Sequence, residues 1–185
     1  MSITSRRAFL LGTGSVLTLS ACGNGIGSDG AARIDARVAA TKQFLISHYP
    51  GVKSLMDKAA GVLYMPLMTE AGFGIGGAFG RGALQINGAT VDYYSATKAS
   101  IGFQIGAQQY AHALFFMTPD ALASFRASNG WEASADMVYA VQNKGGSLGV
   151  STTTEQAPVI ALVFGQTGLI AGASLAGVKY TRIIP

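Results

Sequence analysis

The stretch GFGIGGAFGRGAL, residues 72–84, has a glycine at nearly every second position. Its first six residues have the Gly-x-Gly-x-x-Gly spacing that binds a dinucleotide pyrophosphate when a helix follows the glycines. Residues 78–84 instead continue with glycines at period two, which is the spacing of a β-strand. Bare glycine positions let another backbone approach closely, or let a sheet bend sharply. The stretch therefore predicts a strand that either is approached closely by another element or bends sharply, and it argues against nucleotide binding.

The same glycine rhythm returns in residues 101–107 and 168–177, which indicates a sheet. A helix is predicted from Pro119 to Ala127, with Thr118 as the N-cap. Residues 143–156 are polar and predict an exposed loop. Further strands are predicted at 62–65 (closed by Pro66), at 93–94 after the Asn87–Gly88 turn, at 131–142 and at 158–165.

Apolar residues recur at helical spacing from Arg33 to Tyr49, and Pro50–Gly51 ends the pattern. A second short helix is predicted from Val52 to Ala60. The fold class is therefore α+β: predominantly antiparallel β, barrel- or sandwich-like, with N-terminal helices and one mid-chain helix. The first helix has two interpretations, because its basic residues either are simply solvated or contact an anionic membrane surface. These basic residues are Arg33, Arg37 and Lys42, with Lys53 and Lys58 on the second helix.

The N-terminus has the features of an export signal. Arg6 and Arg7 precede an apolar stretch, and the pair followed by Phe-Leu resembles the twin-arginine type. Leu19 to Cys22 resembles a lipobox, in which the cysteine becomes the acylated first residue of the mature chain. An uncleaved anchor or a redox cysteine is the alternative interpretation of Cys22. The predicted organisation is a signal peptide at 1–21, a lipidated cysteine and Gly-rich tether at 22–32, and one folded domain at 33–185.

This leader predicts a lipid-anchored protein of the bacterial cell envelope that faces the periplasm. In a Gram-negative host, Gly23 after the cysteine predicts the outer membrane rather than the inner one. Removal of Arg6 and Arg7 lowers the 13 basic residues to 11 against 9 acidic residues, a net charge of +2. So mild a charge, with no run of like charges, gives no support to nucleic-acid binding.

The polar residues predict no catalytic site, no metal site and no cofactor. His48 and His112 have no motif partner, and each is interpreted as a buried or edge histidine with an ordinary hydrogen bond. The acids follow no metal-binding or nucleophile-elbow pattern, although four of them could meet in space: Glu70, Asp92, Asp120 and Asp136. Arg81, among glycines, is either a solvated strand charge or an anion contact framed by backbone amides.

Several ordered motifs together resemble the SYLF domain family from about Val52 to Arg182. They are KAAGVL at 58–63, AGFGIGG at 71–77, GRGAL at 80–84, YYS at 93–95, SIGFQIGAQ at 100–108 and GLIAGASLAG at 168–177. Eukaryotic members bind phosphoinositide membranes through an amphipathic N-terminal helix and basic residues, and some bind actin. Bacterial members are commonly exported lipoproteins. For an exported chain, the resemblance implies affinity for anionic lipid in general.

The sequence therefore predicts a non-catalytic, exported SYLF-type domain that is attached to the membrane through acylated Cys22. Its expected ligand is anionic phospholipid, and its expected contacts are the five basic residues of the two N-terminal helices. The alternative is a cell-envelope structural or partner-binding lipoprotein with no lipid ligand beyond its own anchor.

Overall fold

The computed structural model describes residues 27–134, 137–142, 148–149, 157–165, 168–169 and 175–185. The leader, Cys22 and most of the tether lie outside these residues. The helices are α1 Gly30–His48, α2 Val52–Lys58 and α3 Pro119–Ala127. The strands are β1 Gly61–Ile86, β2 Ala89–Phe116, β3 Trp131–Glu132, β4 Val138–Tyr139, β5 Val141–Gln142, β6 Leu148–Gly149, β7 Val159–Gly165, β8 Gly168–Leu169 and β9 Lys179–Ile183.

The long β1–β2 hairpin forms the framework of the domain. Asn87 and Gly88 join the strands with φ angles of 51° and 79°, the left-handed backbone that Asn-Gly adopts in tight hairpin turns. The pairing runs from Ile86 opposite Ala89 to Gly61 opposite Phe116, with three register shifts. The predicted Asn-Gly turn is therefore confirmed. So is the prediction that GFGIGG lies within a strand, because β1 runs through these residues without opening a helix.

The prediction that Pro66 closes the first strand is wrong. β1 continues through Pro66 because one of the register shifts lies between Met65 and Met68. A bulge leaves a residue outside the hydrogen-bond ladder, so a proline is tolerated there despite its missing N–H.

Glycines allow β1 to fold back across itself. A Cβ added to Gly82 would overlap the carbonyl oxygen of Tyr64, and one added to Gly80 would lie 2.5 Å from the carbonyl oxygen of Leu67. Tyr64 and Leu67 belong to the first part of the same strand. The predicted close approach of a neighbouring backbone is therefore confirmed at Gly80 and Gly82, and it curls the sheet into a half-barrel.

The other strands extend the sheet from β2. Besides β1, residues 93–97 of β2 pair with β9, and residues 111–116 pair with β7. The pairings are antiparallel except between β4 and β7. The predicted α+β class with a mostly antiparallel sheet is confirmed.

Alternate residues of the sheet belong to two different cores. Leu114 and Phe116 of β2 pack in one core with Phe125 of α3, whereas Ala113 and Phe115 pack in another with α1 and α2. Phe125 is fully buried, and its ring centroid lies 4.7 Å from that of Phe116. Both faces of the sheet are therefore covered by helix, as strands with apolar residues on both faces require.

The helices agree closely with expectation. α1 and α2 occupy the two predicted segments, and the Thr118 hydroxyl caps α3 by accepting from the Ala121 N–H at 3.2 Å. No helix in the described ranges combines the length and apolar character needed to cross a bilayer.

The predicted strand at 131–142 is wrong in extent. Among the described residues of this stretch, the pairing is in short segments with different partners: β3 pairs with β9, β4 with β7 and β5 with β6. Residues 148–149, within the predicted loop, form β6 and pair with β5. The third glycine segment, residues 168–177, lies partly outside the described residues. Its first two residues form β8, and its last three residues are also described.

Candidate functional site

The basic residues of α1 lie on two opposite flanks of its buried stripe. Ile34, Val38 and Leu45 of this stripe pack on the sheet. Successive helical residues are rotated by about 100°, so Arg33 and Arg37 share one flank, while Lys42 lies about 140° from Arg37. The structure therefore does not bring the three basic residues together, and each flank forms a separate candidate site.

The Lys42 flank borders a pocket of about 480 Å³ between α1, α2 and the Asn87–Gly88 turn, here called the lysine pocket. Lys42 is half-buried, and Lys53 is exposed and donates to Asp57 at 2.7 Å. Such an exposed ion pair contributes little stability, so the Lys53 ammonium can exchange partners. Lys58 is exposed at the end of α2. Apolar surface between the cations comes from Ile46, which is 39% exposed, and Met56.

Asp35 fixes α1 against the hairpin beside this pocket. Its carboxylate accepts hydrogen bonds from the Thr90 hydroxyl at 2.9 Å and the Tyr93 hydroxyl at 2.8 Å. Burial and the Asp35 carboxylate raise the pKa of Tyr93 to about 12, because both favour the neutral hydroxyl over the phenolate. Sequence reasoning missed Asp35, because nothing in its local pattern distinguishes it from a solvated helical acid.

The other flank of α1 borders a larger groove of about 620 Å³, here called the apolar groove because most of the side chains that line it are apolar. Ala40, Thr41 and Phe44 line it from α1, and the Phe44 ring stacks on that of Phe164 in β7 at 6.0 Å. β1 contributes Pro66 and Leu67 at its bulge. This apolar groove was not predicted, because it is assembled from segments far apart in the chain.

Arg81 lies on the sheet rather than in an anion-binding loop. Its guanidinium carbon is 5.7 Å from the centroid of the Phe79 ring, which is within the range of a cation–π contact. Phe79 is 50% exposed, so this pair forms an aromatic and cationic surface patch on β1.

The histidines make ordinary hydrogen bonds, as predicted. His112 is fully buried and its Nε2 lies 2.7 Å from the Tyr180 hydroxyl. His48 is exposed, and its Nδ1 lies 3.0 Å from the Phe44 carbonyl oxygen. Of the predicted acids, Asp92 pairs with Arg126 at 2.9 Å, and Glu70 accepts from Gln108 at 3.0 Å. Within the described ranges, no three residues of the metal-ligating types cluster, and Asp136 lies outside these ranges.

We expect the domain to lose stability below about pH 6.5 because of His112. Burial lowers the pKa of His112 to about 3, so the unfolded chain binds this proton more tightly than the folded domain. The contribution of neutral His112 to the free energy of unfolding is complete above the ordinary histidine pKa of about 6.5. Below this pH it falls by up to about 1.4 kcal/mol per pH unit. Thermal unfolding between about pH 7 and pH 5 should show a loss of about 2 kcal/mol.

The two histidines provide the matched variants for this measurement. His112→Phe should flatten the slope between about pH 7 and pH 5, where carboxylates stay ionised. His48→Gln should retain the slope, because His48 is exposed. An unchanged slope in His112→Phe would show that another group carries the proton.

The fold and its two concave sites define a small α+β half-barrel whose N-terminal helix layer carries cations beside apolar surface. Residues 97–182 match the model of the family described as "Ysc84: Las17-binding protein actin regulator". The predicted resemblance to the SYLF family is thereby confirmed, because residues 97–182 are similar to the Ysc84 (SYLF) family model. No curated protein matches the chain.

The family match begins at residue 97, within β2. For residues 52–96 the likeness to SYLF domains rests on the motifs quoted above. The predicted lipid-binding residues lie earlier than residue 97, in α1 and α2. Their role therefore depends on the geometry of the two helix flanks rather than on the family match.

Proposed function

We propose that this protein is an exported, lipid-anchored SYLF-type domain that binds anionic phospholipid surfaces without catalysis. The family supports a membrane-binding or actin-regulating type of domain. The family description names an actin regulator that binds Las17, and an exported domain meets no actin. Of the two family properties, actin regulation and membrane binding, affinity for anionic lipid is the one that can operate in the cell envelope.

The lysine pocket is the observation that carries this proposal. Lys42 and Lys53 flank apolar side chains that are partly exposed, Ile46 and Met56. Cations near an anionic bilayer gain about 1 kcal/mol each, and neighbouring apolar side chains add burial at the headgroup boundary. This combination of cations and partly exposed apolar side chains is better suited to contact with a membrane surface than to full exposure to solvent.

The proposed anchor supports the same orientation. From Cys22 to Gly30 the chain spans at most about 28 Å when fully extended. An acylated Cys22 would therefore keep α1 close to the bilayer, where even weak attraction has a high effective concentration. Arg6 and Arg7 serve export in this proposal and leave with the signal.

Lys42→Gln combined with Lys53→Gln should weaken binding to anionic liposomes about thirtyfold, since two contributions of about 1 kcal/mol are lost. The measurement is flotation of the mature chain, residues 22–185 carrying Cys22→Ser, with phosphatidylglycerol vesicles. Binding should fade as salt rises, because the Debye length is about 8 Å at physiological ionic strength. The melting temperature should change little.

Lys179→Gln is the control, because Lys179 is exposed on β9 and does not line the lysine pocket. If the double variant floats like the parent, the lysine pocket is not the contact surface. If the parent floats with no vesicle composition at low salt, lipid binding fails, and the partner-binding alternative takes its place. The exposed Phe79 and Arg81 patch favours that alternative, because aromatic and arginine side chains are enriched in protein interfaces.

A further inference from the structure

We propose that the apolar groove on the Arg37 flank of α1 binds a single-chain anionic amphiphile, with its acyl chain in the groove and its headgroup at Arg37 and Arg33. This inference rests on the proposed affinity for anionic lipid, but it assigns a different site and a monomeric ligand. The lysine pocket would contact the bilayer surface, whereas the groove would hold one lipid molecule.

The groove is open because small residues line it. Ala40 on α1, Ala111 on β2 and Gly165 on β7 contribute little side-chain volume. The stacked rings of Phe44 and Phe164 supply an apolar wall. Its volume of about 620 Å³ lies within the range of about 300 to 1,000 Å³ that is usual for small-molecule sites. The space therefore suits a flexible apolar chain.

Helical periodicity places a cation at one end of this lining. Arg37 precedes Ala40 and Thr41 by three and four residues, so it lies on the same flank, about one turn closer to the N-terminus. Arg33 lies on the same flank, about one further turn towards the N-terminus, and both arginines are exposed. An anionic headgroup leaving the groove in this direction would meet two guanidinium groups, which bind carboxylates and phosphates well.

An acidic residue favours the same orientation of the ligand. Tyr110 of β2 also lines the groove, and its pKa is raised to about 12 by burial and by the charge of Glu70. Glu70 therefore places negative charge near the β1–β2 side of the groove. Because like charges repel, the anionic headgroup is directed towards α1 and its arginines.

Two neighbouring alanines of α1 provide a matched test. Ala40 and Ala39 are both exposed, but only Ala40 lines the groove, since Ala39 lies on the opposite side of the helix from Thr41. Ala40→Trp should fill the groove and weaken ligand binding at least tenfold, whereas Ala39→Trp should bind like the parent. The probe is a short-chain lysophosphatidate below its micelle concentration, titrated calorimetrically into the mature chain, residues 22–185 carrying Cys22→Ser.

Arg37→Gln tests the headgroup contact without touching the groove. It should weaken binding of lysophosphatidate several-fold and leave binding of lysophosphatidylcholine of the same chain length unchanged. A fatty acid of that length, as the second anionic probe, should respond to Arg37→Gln as lysophosphatidate does if the site accepts either anion. A response of lysophosphatidate alone would restrict the site to phosphate headgroups.

Two results would overturn the proposal. One is equal loss in the two tryptophan variants, and the other is parental binding by both Ala40→Trp and Arg37→Gln. A parent that floats with anionic vesicles but binds no monomeric amphiphile refutes the groove site alone. A parent that does neither refutes the proposed lipid function as well.

Discussion

Gly82→Val should be the most damaging single substitution on the β1–β2 hairpin, with a loss of more than about 3 kcal/mol in the free energy of unfolding. Overpacking of a core usually costs about 1 to 3 kcal/mol because side chains can shift. At Gly82 the added Cβ would overlap the Tyr64 carbonyl oxygen, which is backbone and cannot rotate away. Since small domains are stable by about 5 to 15 kcal/mol, we expect a largely unfolded or strongly destabilised protein in thermal unfolding and circular dichroism.

Two comparisons make this result specific. Ala99→Val adds methyl groups at an exposed position of β2 and should stay within about 0.5 kcal/mol of the parent. Gly77→Ala should be milder than Gly82→Ala, because its nearest obstacle is the Lys98 carbonyl oxygen at 3.1 Å. A Gly82→Val protein that melts like the parent would mean that the two parts of β1 do not cross in contact.

Local chemistry made several elements predictable from sequence. The Asn87–Gly88 turn follows from the left-handed backbone that both residues tolerate, and α3 follows from Thr118 and Pro119 at its start. The glycine rhythm at residues 72–84 also predicted a strand and a close neighbour. In each case the physical cause lies within a few residues of its effect.

The crossing of β1 over itself was not predictable in the same way. Nothing near Gly82 indicates that its neighbour is Tyr64, because the contact joins positions far apart along one strand. A proline breaks the ladder and therefore predicts a strand end at Pro66, and only the bulge in pairing with β2 shows why Pro66 is tolerated.

In the candidate sites too, some features are predictable from local sequence and others depend on tertiary contacts. The rotation of about 100° per helical residue is enough to place Arg37 and Lys42 on opposite flanks of α1. This separation is therefore predictable from the sequence. What each flank faces depends on tertiary contacts, such as Asp35 with Thr90 and Tyr93. The apolar groove combines residues of α1, β1, β2 and β7, and no local pattern marks them as neighbours.

Cys22→Ser should abolish stable membrane attachment of the processed protein, if the proposed lipobox is correct. Acyl chains contribute about 0.8 kcal/mol per buried CH₂ group, and two or more chains hold a protein firmly. The folded domain offers only a net charge of +2 and a few lysines worth about 1 kcal/mol each at an anionic surface. Salt screens that attraction, but it does not release acyl chains.

Fractionation of cells that express the parent and the variant provides the measurement, with precursor and processed forms separated by electrophoretic mobility. The parent should stay with membranes through a high-salt wash, whereas Cys22→Ser should be found either unprocessed or, once processed, in the soluble fraction. Ala21→Gly is the control, because it keeps a small residue before the cysteine and should remain attached. Processed Cys22→Ser that resists the same wash would show that the folded domain itself holds the membrane, through contacts stronger than α1 and α2 provide.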